Sequence, residues 1–340
     1  MKSSLLQPAL LTVLWITGGT EAQAQAPNAI EQTDALKRRQ EMERMFKDAI
    51  ATGGNMPELF SEETKDVGLQ SILKLKQKKT YFEAVMDSQF FYTSNMFLQE
   101  KGGGARLTET SMFVNTAQLA LAPTPYQIGP GQLTPRIGYR HQWFDYGLES
   151  NARALGGFDF DVATVFLDLR YRLANNWTFE AGFDWLRLLN HTPSYFSYDE
   201  IYKEYVPRVG LFRQFSFSET KVLSVGYQGN FHFSETPGNI PENQNNRTDH
   251  SLLAAYSHAV TSKLVLQPYY RFQFTHYTAS PLGTRNDLLH TFGLSVNYYP
   301  TEHFSVRLFA GYDLKESDQP LVPDYRKLDA GLGLNFNLKF

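Results

Sequence analysis

The chain has 340 residues and a formal net charge of -3, and 14% of its residues are aromatic. It contains no cysteine, which excludes a disulfide framework, a thiolate nucleophile, a cysteine-ligated metal and a lipid anchor on an N-terminal cysteine. The chain has no excess of basic residues, so its charge does not indicate nucleic acid as a partner. After residue 25 no apolar run approaches the ~18 residues of a membrane-spanning helix.

Residues 1–24 have the pattern of a secretory signal peptide. Lys2 gives a positive start, residues 9–17 are mainly apolar, and Ala22-Gln23-Ala24 fits the small-x-small cleavage rule. We therefore expect Gln25 to be the first mature residue. The apolar run is too short for a membrane anchor, so the sequence predicts export.

Residues 28–52 are predicted to form a helix. Its apolar residues fall three and four apart among charges, and Gly53-Gly54 end it. The apolar stripe is thin. Residues 53–66 are turn-rich and acidic and are predicted to be a linker. Residues 74–79 are basic and are expected to be solvated, with contact to anionic lipid headgroups as the alternative.

From Thr80 onward the hydrophobic period is two, which is typical of strands with one apolar and one polar face. The clearest example sets Val165, Leu167 and Leu169 against Thr164 and Asp168. The pattern predicts about twelve strands, at about 80–92, 108–121, 136–145, 159–173, 177–189, 204–215, 221–233, 250–260, 263–277, 288–299, 303–314 and 327–340.

The connections between these strands alternate in length. Short turns at 174–176, 216–220, 260–262 and 300–302 alternate with long polar loops such as 93–107 and 234–249. Short turns at one side and long loops at the other are the pattern of transmembrane barrels, and the pattern places both chain ends on the short-turn, periplasmic side. The Pro/Gly-rich turn at 122–135 lies on the short-turn side and is the one departure.

The last strand alternates without a slip from Leu328 to the terminal Phe340. An amphipathic last strand that ends on phenylalanine resembles the C-terminal signature of bacterial outer-membrane β-barrels, and the likeness covers residues 80–340. In that family the periplasmic assembly machinery recognises the last strand, which closes the barrel against the first. The resemblance implies an assembly signal at Phe336, Leu338 and Phe340 and a location in the bacterial outer membrane.

The predicted fold is therefore an all-β membrane protein: a single antiparallel transmembrane β-barrel of about twelve strands over residues 80–340. A closed barrel is required because lipid cannot satisfy an open sheet edge. Residues 25–79 are predicted to be a periplasmic helical extension and linker. The helix within 28–52 has four interpretations: it packs on a periplasmic partner, self-associates as a short coiled coil, plugs the barrel mouth, or is a solvated extension.

The polar, inward face of the strands carries interleaved charges of both signs. They are interpreted either as structural ion pairs that fill a narrow interior or as a selectivity surface, and a twelve-stranded barrel permits both. The predicted pore-lining residues are Arg136, Arg140, Asp168, Arg170, Arg172, Glu180, Asp184, Arg271 and Arg307.

Catalytic and metal motifs find no support in the sequence. No His-x-His pair lies on one strand face and no His-Glu-x-x-His motif occurs, so no metal site or other cofactor is predicted. Some twelve-stranded outer-membrane phospholipases use a Ser-His pair. Here His250-Ser251 and Ser257-His258 are adjacent and are expected to face opposite sides of a strand.

The sequence thus favours a passive channel for small hydrophilic solutes that is not an enzyme. The alternative is a non-conducting structural or interaction barrel that uses its N-terminal helix and extracellular loops. A lipid hydrolase is a minor alternative. Expected partners are outer-membrane lipids, the outer-membrane assembly machinery, and a periplasmic or self-association partner of residues 28–52.

Overall fold

The structure is a computed structural model that describes residues 29–42, 81–100, 109–147, 158–190, 199–235, 245–279 and 283–340. The predicted signal peptide, the linker at 53–79, parts of the long loops and the predicted helix beyond residue 42 lie outside these ranges. Among the described residues, no helix has the length and apolar character needed to cross a membrane.

The described residues form thirteen β-strands, numbered here along the chain. Twelve of them correspond to the twelve strands predicted from the period-two pattern. The strands are β1 (Phe82–Thr93), β2 (Thr110–Leu121), β3 (Tyr126–Ile128), β4 (Gly131–Tyr146), β5 (Phe160–Leu173), β6 (Trp177–Asn190), β7 (Asp199–Ser218), β8 (Lys221–Glu235), β9 (Arg247–Ala259), β10 (Leu264–Tyr277), β11 (Arg285–Tyr298), β12 (Phe304–Ser317) and β13 (Tyr325–Lys339).

All strands except β3 close into one antiparallel barrel. β1 pairs with β13 from Glu83–Lys339 to Thr93–Asp329, which joins the first strand to the last. β2 pairs directly with β4 and bypasses β3. Each barrel strand is thus hydrogen-bonded on both sides, as lipid requires because it cannot satisfy free backbone groups. The predicted fold class is confirmed.

The short strand β3 is an addition that the sequence did not predict. It forms a hairpin with the start of β4 inside the predicted turn at 122–135. Gly129 lies at the hairpin tip with a φ of 55°, a left-handed conformation that glycine adopts without a Cβ penalty. The Tyr171 hydroxyl donates to the Ile128 carbonyl oxygen at 2.9 Å. This hairpin accounts for the unusual length of the connection.

The two ends of the barrel differ in their connections. The short turns at 174–176, 219–220, 260–263 and 299–303 gather at one end, together with the start of β1 and the end of β13. We call it the short-turn end. The strand ends that are joined by the connections at 94–109, 147–159, 191–198, 236–246, 278–284 and 318–324 lie at the other end, the long-loop end. The predicted alternation of the connections is confirmed.

The outer face of the barrel is apolar. Val165, Leu167 and Leu169 on β5 are 40%, 39% and 38% exposed, whereas the adjacent Thr164 and Asp168 are 0% and 8% exposed. Exposed aliphatic and aromatic side chains recur on the outer face of the other barrel strands. An outward apolar surface with aromatic residues suits contact with lipid.

The predicted N-terminal helix is present over residues 29–42 and is called α1. It lies inside the barrel rather than in the periplasm, where the sequence-based prediction placed it. Ala29, Leu36 and Met42 are 1%, 3% and 2% exposed. Of the four interpretations of this helix, the structure shows the one in which it plugs the barrel. The charges of α1 pair with charges on the barrel wall, and its thin apolar stripe packs on apolar wall residues.

The direction of α1 in the lumen follows from the contacts at its two ends. Near its start, Gln32 Nε2 donates to the carbonyl oxygen of Met96, in the connection after β1 at the long-loop end. At residue 42, the Met42 carbonyl oxygen accepts from Gln267 Nε2, close to the start of β10 at the short-turn end. The N-terminal end of α1 therefore points toward the long loops.

Candidate functional site

Acidic residues in the first half of α1 contact the wall near the long-loop end. Glu31 Oε1 accepts a hydrogen bond from the Tyr325 hydroxyl at 2.9 Å. Asp34 Oδ2 accepts one from Arg247 Nη2 at 2.7 Å. Negative side chains near a helix N-terminus also interact favourably with its dipole. These contacts anchor the outer part of α1 to β9 and β13.

Basic residues in the second half of α1 face wall carboxylates. Lys37 Nζ lies 3.7 Å from Asp184 and 3.9 Å from Glu204. Arg38 Nη2 lies 3.9 Å from Asp313 on β12. The wall therefore offers negative charge where the helix is positive and positive charge where it is negative.

Arg39 combines polar and aromatic contacts with the wall. Its Nη2 lies 3.3 Å from Asp329 Oδ2, and its Nη1 donates to Gln89 Oε1 at 3.0 Å. Its guanidinium lies over the rings of Phe91 and Phe309, 4.9 Å and 4.1 Å from their centroids. A desolvated cation over an aromatic face is an attractive contact. Arg39 thus joins α1 to β1, β12 and β13.

The last described turn of α1 contacts β4, β8 and β10. Glu41 accepts from Arg271 Nη1 at 2.7 Å and from Gln228 Nε2 at 2.8 Å. Gln40 Oε1 accepts from Arg140 Nη1 at 3.3 Å. Arg271 is only 2% exposed, so its pairing with Glu41 is a buried contact between helix and wall.

One side of the lumen toward the long-loop end is apolar. The buried cluster there contains Phe91, Met112, Val114, Phe144, Phe160, Val162, Leu186, Leu188 and Tyr202, with Ala29 and Leu36 of α1. The rings of Phe144 and Phe160 stack with centroids 4.4 Å apart. The lumen wall is therefore two-sided, charged against one face of α1 and apolar against another.

A buried charged group behind Asp34 was missed by the sequence analysis. His232 contacts Glu204 at 3.0 Å and Asp249 at 3.1 Å, and Arg247 Nε lies 3.8 Å from Asp249. This group fixes Arg247 where Asp34 meets it. Single histidines on separate strands give no spacing motif, so only the alternation that turns His232 inward could have suggested it.

The predicted pore-lining residues do not form a single ring. Arg136, Arg140, Asp168, Arg170 and Asp184 line one cavity at the short-turn end. Glu180 pairs with Arg170 at 2.9 Å, and Arg172 follows on the inward face of β5. Arg271 on β10 and Arg307 on β12 lie on other walls, and Arg307 faces Asp87 at 3.4 Å. Arg208, which the prediction omitted, contacts both Asp168 and Asp184.

Two cavities lie at the ends of α1. The cavity at the short-turn end, here called the vestibule, has a volume of about 440 Å³ and is lined by residues of α1, β1, β2, β4–β7 and β13. The cavity at the long-loop end has a volume of about 350 Å³ and lies between α1, β9–β13 and the connection at 318–324. Gaps of about 20 Å³ and 30 Å³ beside α1 lie between them. In the described part of the chain, α1 therefore separates the two cavities.

The predicted assembly residues lie where the barrel closes. Phe340 stacks on Phe82 with ring centroids 6.1 Å apart, and its carbonyl oxygen accepts from the backbone nitrogens of Tyr81 and Phe82. Leu338 pairs with β1, and Phe336 pairs with both β1 and β12. Recognition of these residues by assembly machinery remains a prediction.

The adjacent serine–histidine pairs face opposite sides of β9, as expected. Ser251 and Ser257 are 0% and 1% exposed on the inward face. His250 lies on the outer face, where its Nδ1 is 2.6 Å from the Tyr227 hydroxyl. Within the described ranges, no group of three or more His, Cys, Asp or Glu side chains is arranged to hold a metal ion.

Comparison with known proteins gives likeness of shape alone. No protein-family model and no curated protein matches the chain. An outer-membrane channel from Pseudomonas putida F1 has a TM-score of 0.46 at 13% identity, over 76% of this chain and 96% of that one. The β domain of the Bordetella autotransporter BrkA has a TM-score of 0.43 at 11% identity, over 76% and 100%. The Acinetobacter baumannii channel DcaP has a TM-score of 0.38 at 9% identity, over 76% and 96%.

Proposed function

We propose that this protein is a bacterial outer-membrane channel for small hydrophilic solutes that α1 closes at rest. The apolar outer face and the closed hydrogen-bonding of the barrel support a place in a lipid bilayer. The charged lumen supports the passage of hydrophilic solutes once water fills it.

The observation that carries this proposal is the set of ion pairs between α1 and the wall. A permanent apolar core would hold α1 without charge, and buried ion pairs are weak evidence for stability. Ion pairs are suited to a contact that breaks, because water can solvate both partners when the helix leaves. Asp34–Arg247, Arg39–Asp329 and Glu41–Arg271 are such contacts.

The length of chain after α1 is compatible with release toward the short-turn end. Residues 43–80 separate α1 from β1, and a fully extended chain of that length reaches ~130 Å. The described part of α1, fourteen residues, is ~21 Å long. Connection to β1 therefore does not prevent α1 from leaving the lumen.

A reversible lock on α1 tests the proposal. The chain has no native cysteine, and Ala35 and Gly311 line the same small gap between α1 and β12. Among the described residues, the atom near a Cβ at Gly311 is the Tyr269 hydroxyl oxygen, at 3.7 Å. The Ala35→Cys/Gly311→Cys variant should show discrete openings in planar bilayers. A short bis-methanethiosulfonate crosslinker, which forms a disulfide with each cysteine and releases sulfinate, should abolish them until a thiol reductant cleaves the disulfides.

The single-cysteine variants serve as controls and should be insensitive to the crosslinker. Openings that persist in the locked double variant would refute closure by α1. No conductance from folded protein, locked or unlocked, would favour the second candidate, a non-conducting structural barrel. The observation that favours the structural barrel is the apolar packing of Ala29 and Leu36 inside the lumen, which resembles a permanent hydrophobic core.

The proposal also covers the partners of the barrel and of its N-terminal segment. We propose that the outer face contacts outer-membrane lipids and that assembly machinery recognises Phe336, Leu338 and Phe340. A partner of residues 28–52 would have to reach the helix outside the lumen, because the described part of α1 is enclosed by the wall. Export by residues 1–24 is part of the proposal.

A further inference from the structure

The vestibule carries more positive than negative charge. Six cationic and five anionic side chains line it. Two of those carboxylates, Glu41 and Asp87, pair with arginines outside the vestibule. Two of the cations also contact carboxylates outside it: Arg170 pairs with Glu180, and Lys37 lies 3.9 Å from Glu204. These outside contacts balance, so the positive excess of one side chain remains within the cavity.

Most of the vestibule cations have carboxylate partners. Arg136 lies 2.8 Å from Glu83 and 3.7 Å from Asp168. Arg208 contacts Asp168 and also Asp184. The carboxylates on this side of the cavity are thus already shared among the neighbouring arginines.

Among the described residues, Arg140 and Lys339 are the exceptions, and Arg140 is the less exposed of the two. Among the described residues, no carboxylate oxygen lies within salt-bridge distance of its guanidinium, and its polar partner is the neutral Gln40 Oε1 at 3.3 Å. Its buried Nε has no hydrogen-bond partner in the described part of the chain. Its guanidinium also lies 5.8 Å from the centroid of the Phe166 ring.

A guanidinium that is partly withdrawn from water and lacks a counter-ion is costly unless something supplies the opposite charge. Arginine offers a planar fork of N–H donors that matches the two oxygens of a carboxylate or phosphate. A cavity of about 440 Å³ lies within the range of small-molecule sites. Lys339 lines the same cavity and adds a second cation.

We propose that the vestibule is a binding site for a small oxyanion, a solute carrying a carboxylate or a phosphate, with Arg140 as its principal ligand. Arg140 also contacts Gln40 of α1, so the bound anion lies against the closing helix. The use of this site in transport rests on the proposed function. Binding itself requires only the closed barrel.

Equilibrium dialysis of the full chain in detergent against inorganic phosphate and against acetate tests the site, with chloride at matched ionic strength as the reference. Wild-type protein should bind the oxyanions above the chloride background. Arg140→Gln should weaken binding about tenfold or more, as expected for the loss of a charge-assisted hydrogen bond. Arg285→Gln makes the same change at the other end of the lumen and should leave binding unchanged.

Gln40→Glu provides a second and opposite test. It places a carboxylate against Arg140 in nearly the same volume, so it should abolish phosphate binding and raise the melting temperature in phosphate-free buffer. Arg140→Gln should weaken binding about tenfold or more without that rise. Equal phosphate affinity of wild type and either variant would overturn the proposal, as would binding no stronger than that of chloride. Dialysis measures binding and does not depend on conduction. If the channel proposal failed, the binding result would still test the oxyanion site.

Discussion

The substitution Glu41→Gln tests whether ion pairs keep α1 in the lumen. Arg271 is 2% exposed, and within the described chain its carboxylate partner is Glu41 at 2.7 Å. Its other contact is Ser251 Oγ at 3.0 Å. Glutamine keeps the shape of Glu41 but removes its charge, so a buried guanidinium loses its counter-ion while α1 is seated. When α1 leaves, water hydrates Arg271 and the cost disappears.

The magnitude follows from this difference between the two states. Removing one partner of a buried ion pair costs ~3–5 kcal/mol of stability, because the other charge stays buried without a partner. The glutamine oxygen still accepts a hydrogen bond from Arg271, so we expect the seated state to lose about 2 kcal/mol. At about 1.4 kcal/mol per factor of ten, the ratio of released to seated α1 should rise roughly 30-fold.

The released fraction can be measured without reference to conduction. A single cysteine at Ala35 should react with a membrane-impermeant maleimide only when α1 leaves the lumen, and Glu41→Gln should raise that rate roughly 30-fold. The open probability in planar bilayers should rise in parallel. The double variant Glu41→Gln/Arg271→Gln removes both charges and should return the rate most of the way to that of the parent. Equal rates in the parent and Glu41→Gln would refute the reasoning.

Two further predictions concern the barrel itself. Leu167→Arg, at the middle of β5 on the outer face, should destabilise the barrel by roughly 2–4 kcal/mol if it lies near the bilayer midplane, whereas Gln118→Arg, which faces the vestibule, should be tolerated better in urea unfolding. Equal effects would contradict the assigned faces. Deletion of Phe340, which caps the β1–β13 seam, should reduce the heat-modifiable folded form in outer membranes, and normal insertion would count against the assembly signal.

Strand number and facing were predictable from sequence because both depend on a local pattern. Each barrel strand alternates apolar and polar residues, and a slip of one residue would turn the whole strand over. Strand ends were less predictable. β7 begins at Asp199, five residues before the expected start, since the unpaired Ile201 shifts the register against β6 and interrupts the alternation of β7 itself. β3 has too few residues for any periodicity to be visible.

The position of α1 was not predictable from its own residues. Its thin apolar stripe and its charges on several faces are typical of a solvated helix. The residues that hold it are far away in sequence: Arg39 and Asp329 are separated by 290 positions. Periodicity analysis identifies apolar faces but gives no partner for a charge, so only the three-dimensional wall identifies the site. The charges on the inward strands were noticed, but they fit a selectivity surface equally well.

The two interpretations of those charges are less opposed than they seemed from sequence. With α1 in place, Arg271 and Asp184 serve as structural partners of the helix. With α1 released, the same side chains would face water and form the polar wall of a passage. A neutral or apolar wall could hold a helix but would not favour water after its release. A wall of ionisable residues is stable in both states because helix charges or water can satisfy it, and this is the property that a channel closed by its own chain requires.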